Sequence, residues 1–254
     1  MKLLRRLLLL LVVLLVIAGV VAATCPADFA YRLIADRLGA VRLAGISGSI
    51  WQGHASSVQA FGQELGALDW RLEVAPLLSR ELLAQLNLGG GEVTASGVVE
   101  RSADGTIEVR DADFHLPARM AAPALDIPAL QLLGNIDGKL IRAHLRDVWL
   151  DDASGSLRWN NAAVAGAAQA QFGDLEATFS SVADGAIAGV AHDLGGPLQL
   201  NGTFKVAAGS FDAEATLAAR DGNAQVAEAL RYIGQAQADG SSHLVIHGGL
   251  FKLL

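Results

Sequence analysis

The residues of this chain that could do chemistry are few. Six histidines are present, and only His243 and His247 share a short segment. They stand four apart in a run that alternates like a strand, so both project from the face that carries Val245. Two imidazoles at that spacing could hold a divalent metal if a third ligand and an orienting partner joined them. As surface histidines they need neither, and that is the plainer reading. His54, His115, His144 and His192 are isolated from one another along the chain. Carboxylates pair at Asp151-Asp152 and Asp111-x-Asp113, but a calcium loop needs more oxygen ligands at fixed spacing than either offers. No Gly-x-Ser-x-Gly, His-Glu-x-x-His, phosphate loop or dinucleotide fingerprint occurs. Cys25 is the single cysteine, so no intramolecular disulfide forms. The expectation is a chain that is not an enzyme, with no catalytic residue, no cofactor and no bound metal.

Tryptophan is the other residue type with a chemical use, as a stacking surface. Trp70 and Trp159 alternate with leucine, in Leu68-x-Trp70-x-Leu72 and Leu157-x-Trp159, which places them in a core rather than against a ligand. Trp70 is accordingly expected to be buried. Trp51 lies between Gly48 and Gly53 in a turn, where close backbone approach would let its ring lie across the two glycines.

The segment that positions everything else is Leu7 to Ala23, an unbroken apolar run behind Lys2, Arg5 and Arg6. Seventeen residues at helical rise reach about 26 Å, close to the ~30 Å hydrocarbon core of a bilayer. Leu7, Leu11 and Leu15 recur along it up to Ala23, and the three bases hold the N-terminus in the cytoplasm. A secretory signal would also start with bases, but its apolar part runs only about 7–15 residues; Val21-Ala22-Ala23 is the site where it would be cut. A lipoprotein signal would need a small residue before Cys25, where Thr24 stands. The reading adopted is an uncleaved single-pass anchor: residues 1–24 form the cytoplasmic tip and transmembrane segment, and residues 25–254 a domain on the far side of the membrane.

That domain reads as strands. Leu68, Trp70, Leu72 and Val74 alternate with Asp69, Arg71 and Glu73, the period of a strand with one face in water. The pattern returns at 107–110, 198–206 and 244–246. Asp-Gly and Gly-Gly turns separate the runs, at Asp104-Gly105, Asp184-Gly185, Gly195-Gly196 and Asp221-Gly222. Aromatics are only 6% of the chain, and an interior of Ala and Gly lets a sheet curl. The fold class is therefore mainly β: an N-terminal transmembrane helix followed by a curved, meandering antiparallel sheet with a few short helices.

Short helices are expected at 29–38, with a packed stripe of Ala30, Leu33, Ile34 and Leu38, at 76–83, and at 223–233. Residues 116–128, with three prolines, read as a loop dividing the sheet into halves, 41–115 and 129–254. Gly48-x-Ile50-x-x-Gly53 followed by Leu68-x-Trp70 is echoed by Gly134-x-Ile136-x-Gly138 followed by Leu157-x-Trp159.

Setting aside Lys2, Arg5 and Arg6 leaves 16 basic against 26 acidic side chains, a balance of −10. So acidic a domain, with no basic stripe, is a poor candidate for binding nucleic acid or anionic lipid head groups, and no nucleic-acid partner is expected.

The basic start, the single apolar run, Ser47-Gly48-Ser49-Ile50-Trp51-Gln52-Gly53, Leu68-x-Trp70-x-Leu72 before Pro76-Leu77-Leu78, Gly155-Ser156-Leu157-Arg158-Trp159-Asn160 and the closing His247-Gly248-Gly249 resemble the type II secretion system protein N family (general secretion pathway protein N). The resemblance covers nearly the whole chain, and its most specific element is Gly48-x-x-Trp51-x-Gly53, with Ser49 where threonine is more expected. It implies an accessory or assembly subunit, in the bacterial inner membrane with a periplasmic domain, that meets other secretion subunits during export of folded proteins across the outer membrane. Gly48, Trp51, Gly53, Leu68, Trp70, Leu157 and Trp159 are then its motif positions. The closing region also resembles the β-rich AsmA-type envelope proteins, which implies a curved sheet that contacts or shields lipid acyl chains.

Overall fold

The computed structural model describes residues 24–60, 62–121, 130–146, 149–183, 185–207 and 210–249. The residues assigned to the anchor and its topology signal, Lys2, Arg5, Arg6, Leu7, Leu11, Leu15 and Ala23, lie outside them. Among the described residues no helix is long and apolar enough to cross a membrane.

Strands make one antiparallel sheet. In chain order they are β1 (Arg42–Gly48), β2 (Gln52–Ala60), β3 (Gln63–Glu73), β4 (Leu82–Gly89), β5 (Thr94–Arg101), β6 (Ile107–Pro117) and β7 (Leu130–Arg146). There follow β8 (Trp149–Gly166), β9 (Ala170–Ser181), β10 (Ile187–Asp193), β11 (Leu198–Ala207), β12 (Ser210–Ala219), β13 (Gln235–Ala236) and β14 (Ser242–Gly249). Each pairs with the next up to β12. The chain then leaves the sheet through a helix, and β14 returns beside β12 with the two-residue β13 on its far edge.

Turn chemistry explains the meander. Between β5 and β6, Thr106 N–H donates to Asp104 Oδ1 at 3.0 Å and Gly105 takes a positive φ of 91°, the geometry that Asp-Gly sequences favour. β6 pairs directly with β7, Phe114 facing Gly138 and Leu116 facing Ile136. The long strands β7 and β8 hold their pairing through bulges near Gly134, Ile141 and Asn161, and bulges of this kind bend and twist a sheet.

The short helices are shorter than the periodicity predicts. Helix α1 spans Ala27–Ile34 and continues as a single 3₁₀ turn, Ala35–Arg37. Ala27 is buried, but Leu33 and Ile34, expected in a packed stripe, are 69% and 45% exposed. The face turned to β1 is instead the one carrying Ala27 and Tyr31, whose hydroxyl accepts from Leu43 N–H at 3.0 Å. The expected helix at 76–83 is a 3₁₀ turn, Ala75–Ser79, stopped by Arg80 in the left-handed region; Leu82 and Leu83 belong to β4. In the expected loop at 116–128, β6 runs on to Pro117 and a 3₁₀ turn occupies Ala118–Ala121; its remainder lies outside the described residues. Helix α2 covers only Ala224–Ala229, capped by the Asn223 side chain accepting from Val226 N–H, before a 3₁₀ turn at Leu230–Tyr232.

The main core sits where α2 and its turn pack on the sheet: Val226, Ala229, Leu230 and Ile233 meet Leu132, Val164, Phe172, Leu198 and Leu217. A smaller cluster, Ala143, Ala153 and Ile187, lies elsewhere on the same sheet.

Candidate functional site

The sheet has two chemically distinct faces, because residues directly opposite across an antiparallel pair share a side. One apolar row can be followed from strand to strand: Gly53, Trp70, Leu86 and Gly97. The neighbouring row runs Phe114, Gly138, Leu157, Ala177, Ala191, Gly202, Ala215 and Leu244. From β7 onward this face curls around a shared space. Side chains of β7 to β12 and β14, including Leu132, Trp159, Leu200, Phe211 and Leu244, line one cavity of about 380 Å³, with Leu230 and Ile233 at its helix-bearing end.

Small residues make the curl possible. A Cβ at Gly53 would stand 2.2 Å from the Trp70 ring, and one at Gly138 would stand 2.0 Å from the Phe114 ring. At Gly189 it would meet the Phe204 ring at 2.2 Å. Aromatic rings thus lie flat over inward glycines and fill the space that those residues leave open.

Trp70 is half-buried rather than buried, a departure from the alternation reading. Asp69 and Arg71 are exposed on the other face, as that reading has them. The indole covers Gly53 instead of entering a sealed core, and its Nε1–H donates to Ile50 O at 3.2 Å. The ring that lies across Gly53 is therefore that of Trp70, whereas Trp51 uses its carbonyl to accept from Leu72 N–H at 2.7 Å. Trp159 repeats the device: half-buried, it faces Ile136 and donates from Nε1 to Leu133 O at 2.8 Å. In both cases the indole bonds the carbonyl three residues before the residue it faces, and the leucine two places earlier faces the residue two beyond (Leu68 with Ala55, Leu157 with Gly138). Geometrically Gly53 corresponds to Ile136, so the two units match three residues out of step with the Gly-x-Ile echo of the sequence.

Gly48 and Ser49 build the β1–β2 turn. Gly48 has φ 84°, and a Cβ there would meet Gln52 O at 2.6 Å. Ser49 Oγ accepts from Gln52 N–H at 3.2 Å, a bond that a threonine hydroxyl would make equally well.

The opposite face is polar and carries all six histidines, each beside a carboxylate of a neighbouring strand. Nδ1–Oδ1 distances are 2.8 Å for His54–Asp69, 2.6 Å for His115–Asp137 and 2.6 Å for His247–Asp212. His144 lies between Glu108 and Asp152 at 3.4 and 3.6 Å, His192 is 3.6 Å from Glu176 and His243 is 3.4 Å from Glu214. His54, His115, His144 and His192, isolated in the sequence, are thus paired in space, because strand register rather than chain proximity supplies their partners. Asp152 meets Arg142 at 3.1 Å, Asp151 meets Arg146 at 3.6 Å and Asp113 meets Lys139 at 3.7 Å. Among the described residues no group of three or more His, Cys, Asp or Glu is placed to hold a metal.

A polar clasp stands near the helix-bearing end of the cavity. Asp193, at the end of β10, accepts from Leu200 N–H at 2.9 Å and Gly195 N–H at 3.1 Å and pairs with the Arg220 guanidinium, whose Nε donates to Gly196 O. Burial alone would push this carboxyl up; the two amides and the guanidinium outweigh it and hold it below the ordinary carboxylate value. Nothing in the local sequence marks the clasp, since Asp193 and Arg220 come together only through the β10–β11 and β11–β12 turns.

The sequence matches the family described as type II secretion system (T2SS), protein N, over residues 39–245. That span runs from before β1 into β14 and includes both Trp-on-carbonyl units. The chain belongs to the protein N family. It is 32% identical over 126 residues to the type II secretion system protein N of Vibrio cholerae, an alignment covering 48% of this chain and 50% of that relative. The chain thus spans about half the length of the curated relative it matches. No solved structure matches it. Within the family frame, Gly48 and Gly53 are steric requirements of one turn and one indole, while Leu68, Trp70, Leu157 and Trp159 carry the two repeated units.

Proposed function

We propose that this chain is an accessory subunit of the type II secretion system that works by contact with other subunits. Leu7–Ala23 anchors it in the inner membrane, Lys2, Arg5 and Arg6 keep the N-terminus cytoplasmic, and residues 25–254 lie in the periplasm. Membership of the protein N family over residues 39–245 is the observation that carries this reading. The chemistry of the polar face agrees with it: histidines and carboxylates there bond one another across strands, which gives a solvated surface suited to docking. No reaction and no cofactor is proposed. A reporter fused after Leu254 tests the topology. Activity on the periplasmic side with the N-terminus retained supports the anchor, and a mature chain beginning at Thr24 rejects it.

A second reading is favoured by the apolar face. Among the described residues its lining around the 380 Å³ cavity is apolar except for Glu176, which is turned to His192 on the other side. A volume of this size falls within the range of small-ligand sites, about 300–1,000 Å³. In this reading the sheet contacts or shields lipid acyl chains, as the AsmA-like resemblance implies. Mass spectrometry of gently extracted protein distinguishes the two. Stoichiometric lipid, with normal export in a strain lacking the protein, would replace the secretion reading; a lipid-free domain with an export defect would leave it in place.

A further inference from the structure

Helix α1 is the first described element after the Leu7–Ala23 run, and it is amphipathic in an unusual sense. Ala27 and Tyr31 turn toward the sheet, Ala27 buried and Tyr31 bonded to Leu43 N–H. Phe29 and Leu33, one turn apart on another side, are 58% and 69% exposed. Asp28 and Arg32 pair with each other at 2.6 Å along the flank. Two large apolar side chains stacked at i and i+4 thus face away from the protein on a helix of eight residues.

What lies against them follows from where the preceding chain ends. The apolar run stops at Ala23. Three residues to Pro26 reach at most about 10 Å, and seven more at helical rise bring Leu33 no further than about 20 Å from that end. The start of the segment is also fastened to the sheet: Cys25 O accepts from Ile50 N–H at 3.1 Å, and Pro26 bridges to Ser49. The β1–β2 turn therefore sits beside Cys25, two residues after the apolar run in the sequence. Val74, in the segment that follows the Leu72–Trp51 bond, is 59% exposed near the same end of the sheet.

We infer that the Phe29–Leu33 face of α1 seats in the headgroup–acyl boundary of the bilayer, holding the β1 end of the sheet on the membrane surface. This rests on the anchor proposed above. Apolar rings and branched chains on one side of a short helix, with an Asp–Arg pair on the flank, suit that boundary. Arg32 can carry its guanidinium outward while its methylenes stay with the apolar side. The contact adds orientation to tethering, because a single span leaves the domain free to rotate and a second contact through α1 restricts it.

The test uses the full chain, with Cys25→Ser, in vesicles of phosphatidylethanolamine and phosphatidylglycerol carrying bromine on their acyl chains. An environment-sensitive fluorophore is placed singly at Leu33→Cys, at Phe29→Cys, at Leu15→Cys within the apolar run, and at Gln63→Cys, an exposed position at the opposite end of β2–β3. The inference predicts loss of emission at Leu15, Leu33 and Phe29 and none at Gln63. Loss at Leu15 without loss at Leu33 and Phe29 would overturn the inference and keep the anchor. No loss at any position would overturn both. A blue shift at Leu33 without quenching would assign this face to a protein neighbour, and would likewise overturn it.

Discussion

At Gly53 the indole of Trp70 leaves space for a hydrogen and nothing larger, since a methyl there would stand 2.2 Å from the ring. Gly53→Ala is expected to destabilise the domain by about 1–3 kcal/mol through overpacking, seen as a lower urea midpoint. Trp70→Phe keeps most of the apolar surface and removes the Nε1–H bond to Ile50 O; the loss should be about 0.5–1.5 kcal/mol. Asp193 gives a pH signature. Its folded-state carboxyl lies below the ordinary 3.8, so its ionised form stabilises the fold fully above that value. The contribution is lost as pH falls through the lowered folded value. Urea midpoints followed from about pH 5 down to about pH 2 should fall, and Asp193→Asn should flatten that fall while lowering stability at neutral pH. Of these residues the sequence made Trp70 legible through its alternation with leucine. The Trp70–Gly53 contact and the Asp193–Arg220 clasp were hidden, because both depend on which residue a strand places opposite.

At the scale of elements, strand β3 puts Trp70 on one face and Asp69 on the other. Trp70→Ala is expected to cost about 2–4 kcal/mol, toward the lower part of the range for buried aromatics because the ring is half-buried. Asp69→Ala, removing an exposed bond to His54, should change stability by less than about 0.5–1 kcal/mol; equal losses would contradict the two-faced strand. Helix α2 depends on its cap, so Asn223→Ala should lower stability by about 1 kcal/mol. Strict alternation made β3, β11 and β14 readable. It failed in β7 and β8, where bulges shift the alternation from one face to the other. At Leu82-Leu83 two adjacent leucines look helical and are instead the start of β4, each on a different face of the sheet. Leu33 and Ile34 matched a helical stripe, yet the sheet-facing side of α1 is set by Tyr31 reaching Leu43 N–H, which no periodicity records.

At the scale of the whole molecule, composition and turn spacing are enough to yield a mainly β chain, and the Gly48–Gly53 element together with the two Leu-x-Trp strands is enough to yield the family. What they do not yield is the division of one sheet into an apolar face curled around a cavity and a polar face of paired histidines and carboxylates. That division comes from register summed over every strand pair from β1 to β14. It bears on the two readings proposed above, since it separates a polar surface from an apolar one. The proposal that this chain serves type II secretion by contact is tested most directly by the fate of a folded type II substrate in a strain lacking the chain, with and without complementation. Substrate is expected to accumulate folded in the periplasm, and complementation to restore its release. Release at the wild-type rate in the strain lacking the chain would contradict the proposal.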